Sequence, residues 1–153
     1  HNYLKHIRKD LRKEIFDYIE SLPLNFDIEV NGQRFILVHG NMECYYELDG
    51  NNYRYDSVKE FCVWNRDAGD MDLPEGVTLI FGHTPTNHYQ RDEIPMKIWH
   101  GENRYDIDCG CGYCYPGRLA CLRLDDMKEF YSDYMSEQDI LEKERLENKN
   151  ELF

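Results

Sequence analysis

Positive charge is scarce in this chain, and long apolar runs are missing from it. Its 153 residues carry 30 Asp and Glu against 18 Lys and Arg, a formal net charge of −12. Such a surface repels phosphate backbones and disfavours a nucleic-acid scaffold, although bound cations would reverse the sign locally. No stretch approaches the roughly twenty apolar residues needed to span a bilayer, so the reading is a cytoplasmic protein without a membrane partner. No secretory signal is visible, and because the sequence opens at His1 rather than Met this excludes nothing upstream. Internal repeats and low-complexity blocks are absent. The six cysteines (Cys44, Cys62, Cys109, Cys111, Cys114 and Cys121) form no two-pair C-x-x-C array and read as reduced structural thiols.

What is present suffices for one packed interior, with 41% apolar and 14% aromatic residues. Leu4, Ile7, Leu11, Ile15, Tyr18, Ile19 and Leu22 recur at helical spacing opposite a basic face, and Pro23 stops the pattern. Asn31-Gly32 between two apolar runs predicts a tight hairpin, since both residues tolerate positive φ. Its second strand, Phe35 to Val38, is continuously apolar and should be buried on both faces. Residues 41–55 read as a tyrosine-rich loop, in which Tyr45, Tyr46, Tyr53 and Tyr55 either shape specificity or cap the core. Ser57 and Glu60 have capping-box spacing ahead of a short helix. Val77 to Phe81 is a second buried strand, and Ile94 to Trp99, Tyr105 to Asp108, Leu119 to Leu124 and Met127 to Tyr131 read as further strands. The fold class is therefore α+β. Residues 1–131 form the domain and 132–153 a charged helix or tail.

Two histidines repeat one arrangement. Val38-His39-Gly40 and Phe81-Gly82-His83 each place an imidazole and a glycine just past a buried strand. Open sheets hold their sites at the carboxyl ends of strands, and two imidazoles from neighbouring ends suit a divalent transition metal. Taken singly, each histidine is more often a hydrogen-bonded turn residue.

In order along the chain, Phe35-Ile36-Leu37-Val38-His39-Gly40, Val63-Trp64-Asn65-Arg66, Ile80-Phe81-Gly82-His83-Thr84-Pro85 and Ile107-Asp108-Cys109-Gly110 with Gly117-Arg118-Leu119-Ala120 resemble four segments of calcineurin-like metallophosphoesterases. The closest look is to PPP-type serine/threonine protein phosphatases and symmetrical dinucleoside tetraphosphate hydrolases. The resemblance spans roughly residues 15–131 and implies the C-terminal portion of a two-sheet sandwich flanked by helices. It implies two divalent metal ions in the complete enzyme, manganese first, with iron or zinc as alternatives. His39 and His83 would bind one metal, and Arg66 would grip a phosphate oxygen. The reaction implied is hydrolysis of phosphomonoesters, on a phosphoprotein or a nucleoside polyphosphate, by a metal-bound hydroxide.

The family's D-x-H, GD-x-x-DRG and GNH(D/E) segments, which carry its other ligands, do not occur in this sequence. Two imidazoles cannot satisfy two metals. The expectation is that the N-terminal half of the domain is missing, that it acts as a partner, and that this polypeptide alone has little or no activity. Two other readings stand beside this one: a non-catalytic binding module that keeps the fold, and a small zinc protein built on Cys109, Cys111, Cys114 and Cys121. Asp108 is expected to hydrogen-bond backbone or a site histidine, Asp125-Asp126 to form a solvated turn, and His88 and His100 to lie on the surface. His1 and His6 carry no signal.

Overall fold

The computed structural model describes residues 7–48, 50–112, 116–134, 136 and 138–142. His1, His6, Cys114 and most of the charged tail lie outside these described residues, within which 138–142 are helical. The chain is an α+β fold. Helix α1 (Lys9–Ser21) leads into strands β1 (Asn25–Val30) and β2 (Gln33–Val38). A 3-10 turn (Glu43–Tyr45), α2 (Asn51–Arg54) and α3 (Val58–Trp64) precede β3 (Val77–Phe81). Strands β4 (Trp99–Gly101), β5 (Arg104–Asp106), β6 (Ala120–Arg123) and β7 (Lys128–Tyr131) complete it.

Five strands form one sheet in the order β1-β2-β3-β5-β4. The three central strands run parallel, and an antiparallel strand closes each edge. The β1–β2 hairpin turns at Asn31 and Gly32, with φ of 52° and 78°, and pairs Val30 with Gln33. Positive φ at both central residues matches the right-handed twist of the strands. Strand β3 is buried along its whole length, whereas only Phe35 and Ile36 of β2 are fully buried. Both strands find two neighbours within this chain: β2 lies between β1 and β3, and β3 between β2 and β5.

The alternation of β3 sends Val77, Leu79 and Phe81 with Ile36 of β2 to one side, where Met42, Tyr45, Phe61, Cys62 and Ala68 cover them. Tyr46 and Tyr55 pack against this cluster while Tyr53 is 90% exposed, so three of the four loop tyrosines cap the core. The tyrosine-rich segment is not plain loop, because the 3-10 turn and α2 fall inside it. A second cluster joins Met96, Ile98 and Cys109 to Tyr105, Ile107, Ala120, Leu122 and Tyr131. The strand expected over Ile94 to Trp99 begins only at Trp99. Pro95 has no N–H, and the amides of Met96 and Ile98 donate to Pro116 O and the Tyr131 hydroxyl instead of to a ladder.

Helix α1 forms as the periodicity predicts, yet it buries none of its residues. An ion pair between Glu20 and Lys59 ties it to α3.

Candidate functional site

Parallel pairing puts the carboxyl ends of β2, β3 and β5 on one edge of the sheet, and the three candidate segments emerge there. The amide of Gly82 donates to His39 O at 3.0 Å, so the register continues one step past the strands and sets the two histidines side by side. Their ring centroids lie 5.0 Å apart with planes tilted by 52°. The convergence expected of His39 and His83 is what the fold produces.

His83 holds a backbone conformation that side chains seldom take. Its φ is 67°, and the amide of Thr84 donates back to Gly82 O at 2.7 Å. A three-residue turn with positive φ at its centre is the strained kind of γ-turn, and such strain collects at functional positions at a cost of roughly 1–3 kcal/mol. Nε2 of His83 is buried and has no hydrogen-bond partner among the described residues. Burial, then the nearby charge of Arg66, then His39 push the His83 pKa below its ordinary value, with the Trp64 carbonyl and Asp108 opposing. The imidazole is thereby held neutral, the form that can ligate a metal.

The C-terminus of α3 carries the third element of the site. Ser57 caps the helix by accepting from the Glu60 amide at 3.2 Å, and the Glu60 carboxylate accepts from the Asp56 amide at 2.7 Å, close to the expected box. At the other end, Cys62 O accepts from the amides of Gly40 at 2.9 Å and Asn41 at 3.2 Å. The end of β2 therefore supplies donors that a helix terminus lacks. A Cβ at Gly40 would stand 2.8 Å from the carbonyl oxygens of Cys62 and Asn65, so what needs this glycine is the helix rather than a ligand. Gly82 is less restricted: its nearest obstacle would be the Asp108 Cβ at 3.5 Å.

This docking carries Trp64, Asn65 and Arg66 to the histidines. The Trp64 ring meets His83 edge-on at 5.4 Å between centroids. Arg66 is exposed, and its Nη1 donates to His83 O at 2.8 Å. One bond of the guanidinium's five donors fixes its direction and leaves the others for an oxyanion.

Sequence reasoning passed over the residues that brace these elements. Asn41 and Asn65 are wholly buried, and Asn41 Nδ2 donates to Asn65 Oδ1 at 2.7 Å. Asn65 Oδ1 also accepts from the Asp67 amide at 2.9 Å, and its Nδ2 donates to Asp67 Oδ2 at 3.0 Å. Asn65 stands inside the Val63–Arg66 segment, but nothing local marks it as buried. Asp106 was likewise unmarked. It is fully buried, its Oδ1 accepts from the Asp108 amide at 2.9 Å, and burial lifts its pKa to about 8. Asp108 Oδ1 accepts from the Gly110 amide at 3.0 Å, the turn role expected of it. His88 and His100 are exposed, and His100 Nε2 lies 2.5 Å from Glu129. Asp125 and Asp126 form an exposed turn, in which Asp126 pairs with Arg123.

No third His, Cys, Asp or Glu joins His39 and His83 in a metal-binding group among the described residues. The cysteine run does not gather either, since Cys109 is buried while Cys111 and Cys121 are exposed. Burial pushes the Cys109 thiol up to about 12 and that of Cys62 to about 11, as structural thiols require.

No family model matches this sequence, and no curated protein matches it significantly. Among the described residues, no helix is long and apolar enough to cross a membrane.

Proposed function

We propose that this chain supplies one side of a two-metal phosphoesterase centre, acting on phosphomonoesters of a phosphoprotein or a nucleoside polyphosphate. The observation that carries the reading is the convergence of His39 and His83, with Arg66 fixed to the backbone of the second histidine. His83 Nε2 is an orphaned buried nitrogen of the kind that a ligand repairs. The pair fits two corners of one coordination sphere and no more. Carboxylates from polypeptide outside the described residues would complete it, as the sandwich fold of the resemblance implies. When bound, a divalent pair acidifies water and neutralises phosphoryl charge. The chain's own residues do the rest: His39 and His83 hold one ion, Arg66 orients the phosphoryl group by a fork, and Trp64 shields the His83 ring from water. The medium implied is cytoplasmic, and neither nucleic acid nor membrane is required.

Zinc titration of the chain by calorimetry tests the site, because imidazole pairs favour zinc over manganese. Weak binding of one ion is expected, lost in His39→Ala and in His83→Ala. The chain alone, with manganese, should not turn over p-nitrophenyl phosphate. Undiminished zinc binding in both variants, or robust turnover by the chain alone, would sink the reading.

A further inference from the structure

The histidines follow the carboxyl ends of β2 and β3. Around the starts of the same strands, the β1–β2 turn and the turn between β6 and β7 enclose a cavity of about 310 Å³. Phe35 and Thr78, both buried, form its floor, and the half-buried Val30, Leu124 and Met127 form its walls. Phe35 belongs to neither hydrophobic cluster of the core, so this apolar floor is separate from the interior. Asn31, Gln33 and Asp125 are exposed and make the rim. Among the described residues, no Lys, Arg or His lines the cavity. The rim presents acceptors. Asn31 Nδ2 donates to Asp125 O at 3.0 Å, which ties the two turns together, and Gln33 Nε2 donates to Thr78 Oγ1 at 3.1 Å. Both side-chain amides thus keep their carbonyl oxygens for a ligand. The Asp125 carboxylate makes no ion pair among the described residues, whereas its neighbour Asp126 is paired with Arg123. Met127 adds a separate sign. Its φ is 55°, a left-handed conformation that costs a side chain about 1–2 kcal/mol and that glycine or asparagine takes more easily. The turn nevertheless keeps a long, adaptable thioether, and that side chain lines the cavity.

We propose that this cavity binds a small primary amine with a compact apolar body, the body resting on Phe35 and the ammonium held at the rim. An ammonium has three N–H donors and nothing to accept with. It is the complement of a rim made of two amide oxygens and one carboxylate. Its charge pairs with Asp125, and the chain's net charge of −12 adds attraction at long range. The apolar body fills the space between Val30, Leu124 and Met127, where the thioether adjusts to its shape. The volume stands at the lower end of small-molecule sites, roughly 300–1,000 Å³, so the amine is compact. The site goes beyond the phosphoesterase reading and does not depend on it, since it uses neither histidine and no part of the Arg66 segment.

Two-dimensional NMR of the chain, titrated with phenethylamine at neutral pH and physiological salt, tests this. The side-chain amides of Asn31 and Gln33 and the backbone amide of Met127 should shift together along one binding curve. Phenethylamine should bind at least about tenfold tighter than phenethyl alcohol, which lacks the charge, and than methylamine, which lacks the body. Asp125→Asn keeps the shape of an exposed turn and should reduce the amine to the affinity of the alcohol. Met127→Gly relaxes the turn and removes a wall. It should weaken amine and alcohol alike while far-UV circular dichroism stays as in wild type. Equal affinity for amine and alcohol, shifts that arise elsewhere than at Asn31, Gln33 and Met127, or an undiminished preference in Asp125→Asn overturns the site. His39→Ala should abolish zinc binding and leave the amine titration unchanged, so the two sites are judged separately.

Discussion

Asp106 shows how a single side chain can set the pH response of the molecule. It ends β5 beneath the sheet edge, with no exposure to solvent. Burial, reinforced by the neighbouring charge of Asp108, raises its pKa to about 8 against the pull of the Asp108 amide. An unfolded chain would release that proton near pH 4. Between pH 4 and 8 the native state holds a proton that the unfolded state has lost, so stability falls as pH rises through this window. The slope is at most about 1.4 kcal/mol per pH unit. Asp106→Asn mimics the protonated acid and should flatten the slope, making the variant the more stable protein at pH 7.5 by about 2 kcal/mol or more. Urea melts of both proteins at pH 5 and pH 7.5 check this. Parallel slopes would show that Asp106 is ionised in the folded state. His39, His83 and Arg66 could be picked out of the sequence because strand, glycine and motif surround them. Asp106 could not, since its burial is created by sheet pairing, which sets it beside Phe81 of β3 and Trp99 of β4 on the face of the first hydrophobic cluster.

Among the elements, α3 and the end of β2 behave as one unit. Gly40 is where they touch, and a methyl group there would press into two carbonyl oxygens at 2.8 Å, of which Cys62 O already accepts two amides. Gly40→Ala should cost about 2 kcal/mol, the range of overpacking against backbone. It should also weaken zinc binding, because Trp64 and Arg66 shift with the helix. Thermal melts with a parallel zinc titration measure both effects. A destabilised variant with unchanged zinc affinity would mean that the helix packs on the site without shaping it. The hairpin, the capped helix and the buried β3 were legible in the sequence because Asn31-Gly32, Ser57-x-x-Glu60 and five consecutive apolar-compatible residues each fix local geometry. The stretch before Trp99 was not. Its composition is that of a strand, but its amides are claimed by Pro116 and Tyr131, which are distant in sequence.

At the scale of the whole molecule, the sheet's central strands are paired on both sides, and much of the exposed apolar surface is on α1 and β1. Phe16 and Ile19 of α1 are 49% and 53% exposed, and Phe26 of β1 is 56% exposed. Surfaces of this kind favour association, while twelve net negative charges oppose it. Self-association of the chain should therefore be weak at low ionic strength and strengthen as salt screens the repulsion. Sedimentation velocity across protein and salt concentrations reads this directly. Phe16→Glu with Ile19→Glu should leave a monomer throughout, and a wild type that stays monomeric in high salt would show that the helix face is not adhesive.

The edge-on contact of Trp64 with His83 gives the molecule a built-in optical reporter. The chain has two tryptophans. Trp99 stacks on Tyr89 at 4.2 Å between centroids and makes no ring contact with either histidine among the described residues, whereas Trp64 sits against the ring that would receive a proton or an ion. An imidazolium quenches indole emission, and a paramagnetic ion quenches it more strongly. Light emitted by Trp64 thus carries the state of His83, with no label attached and no substrate consumed.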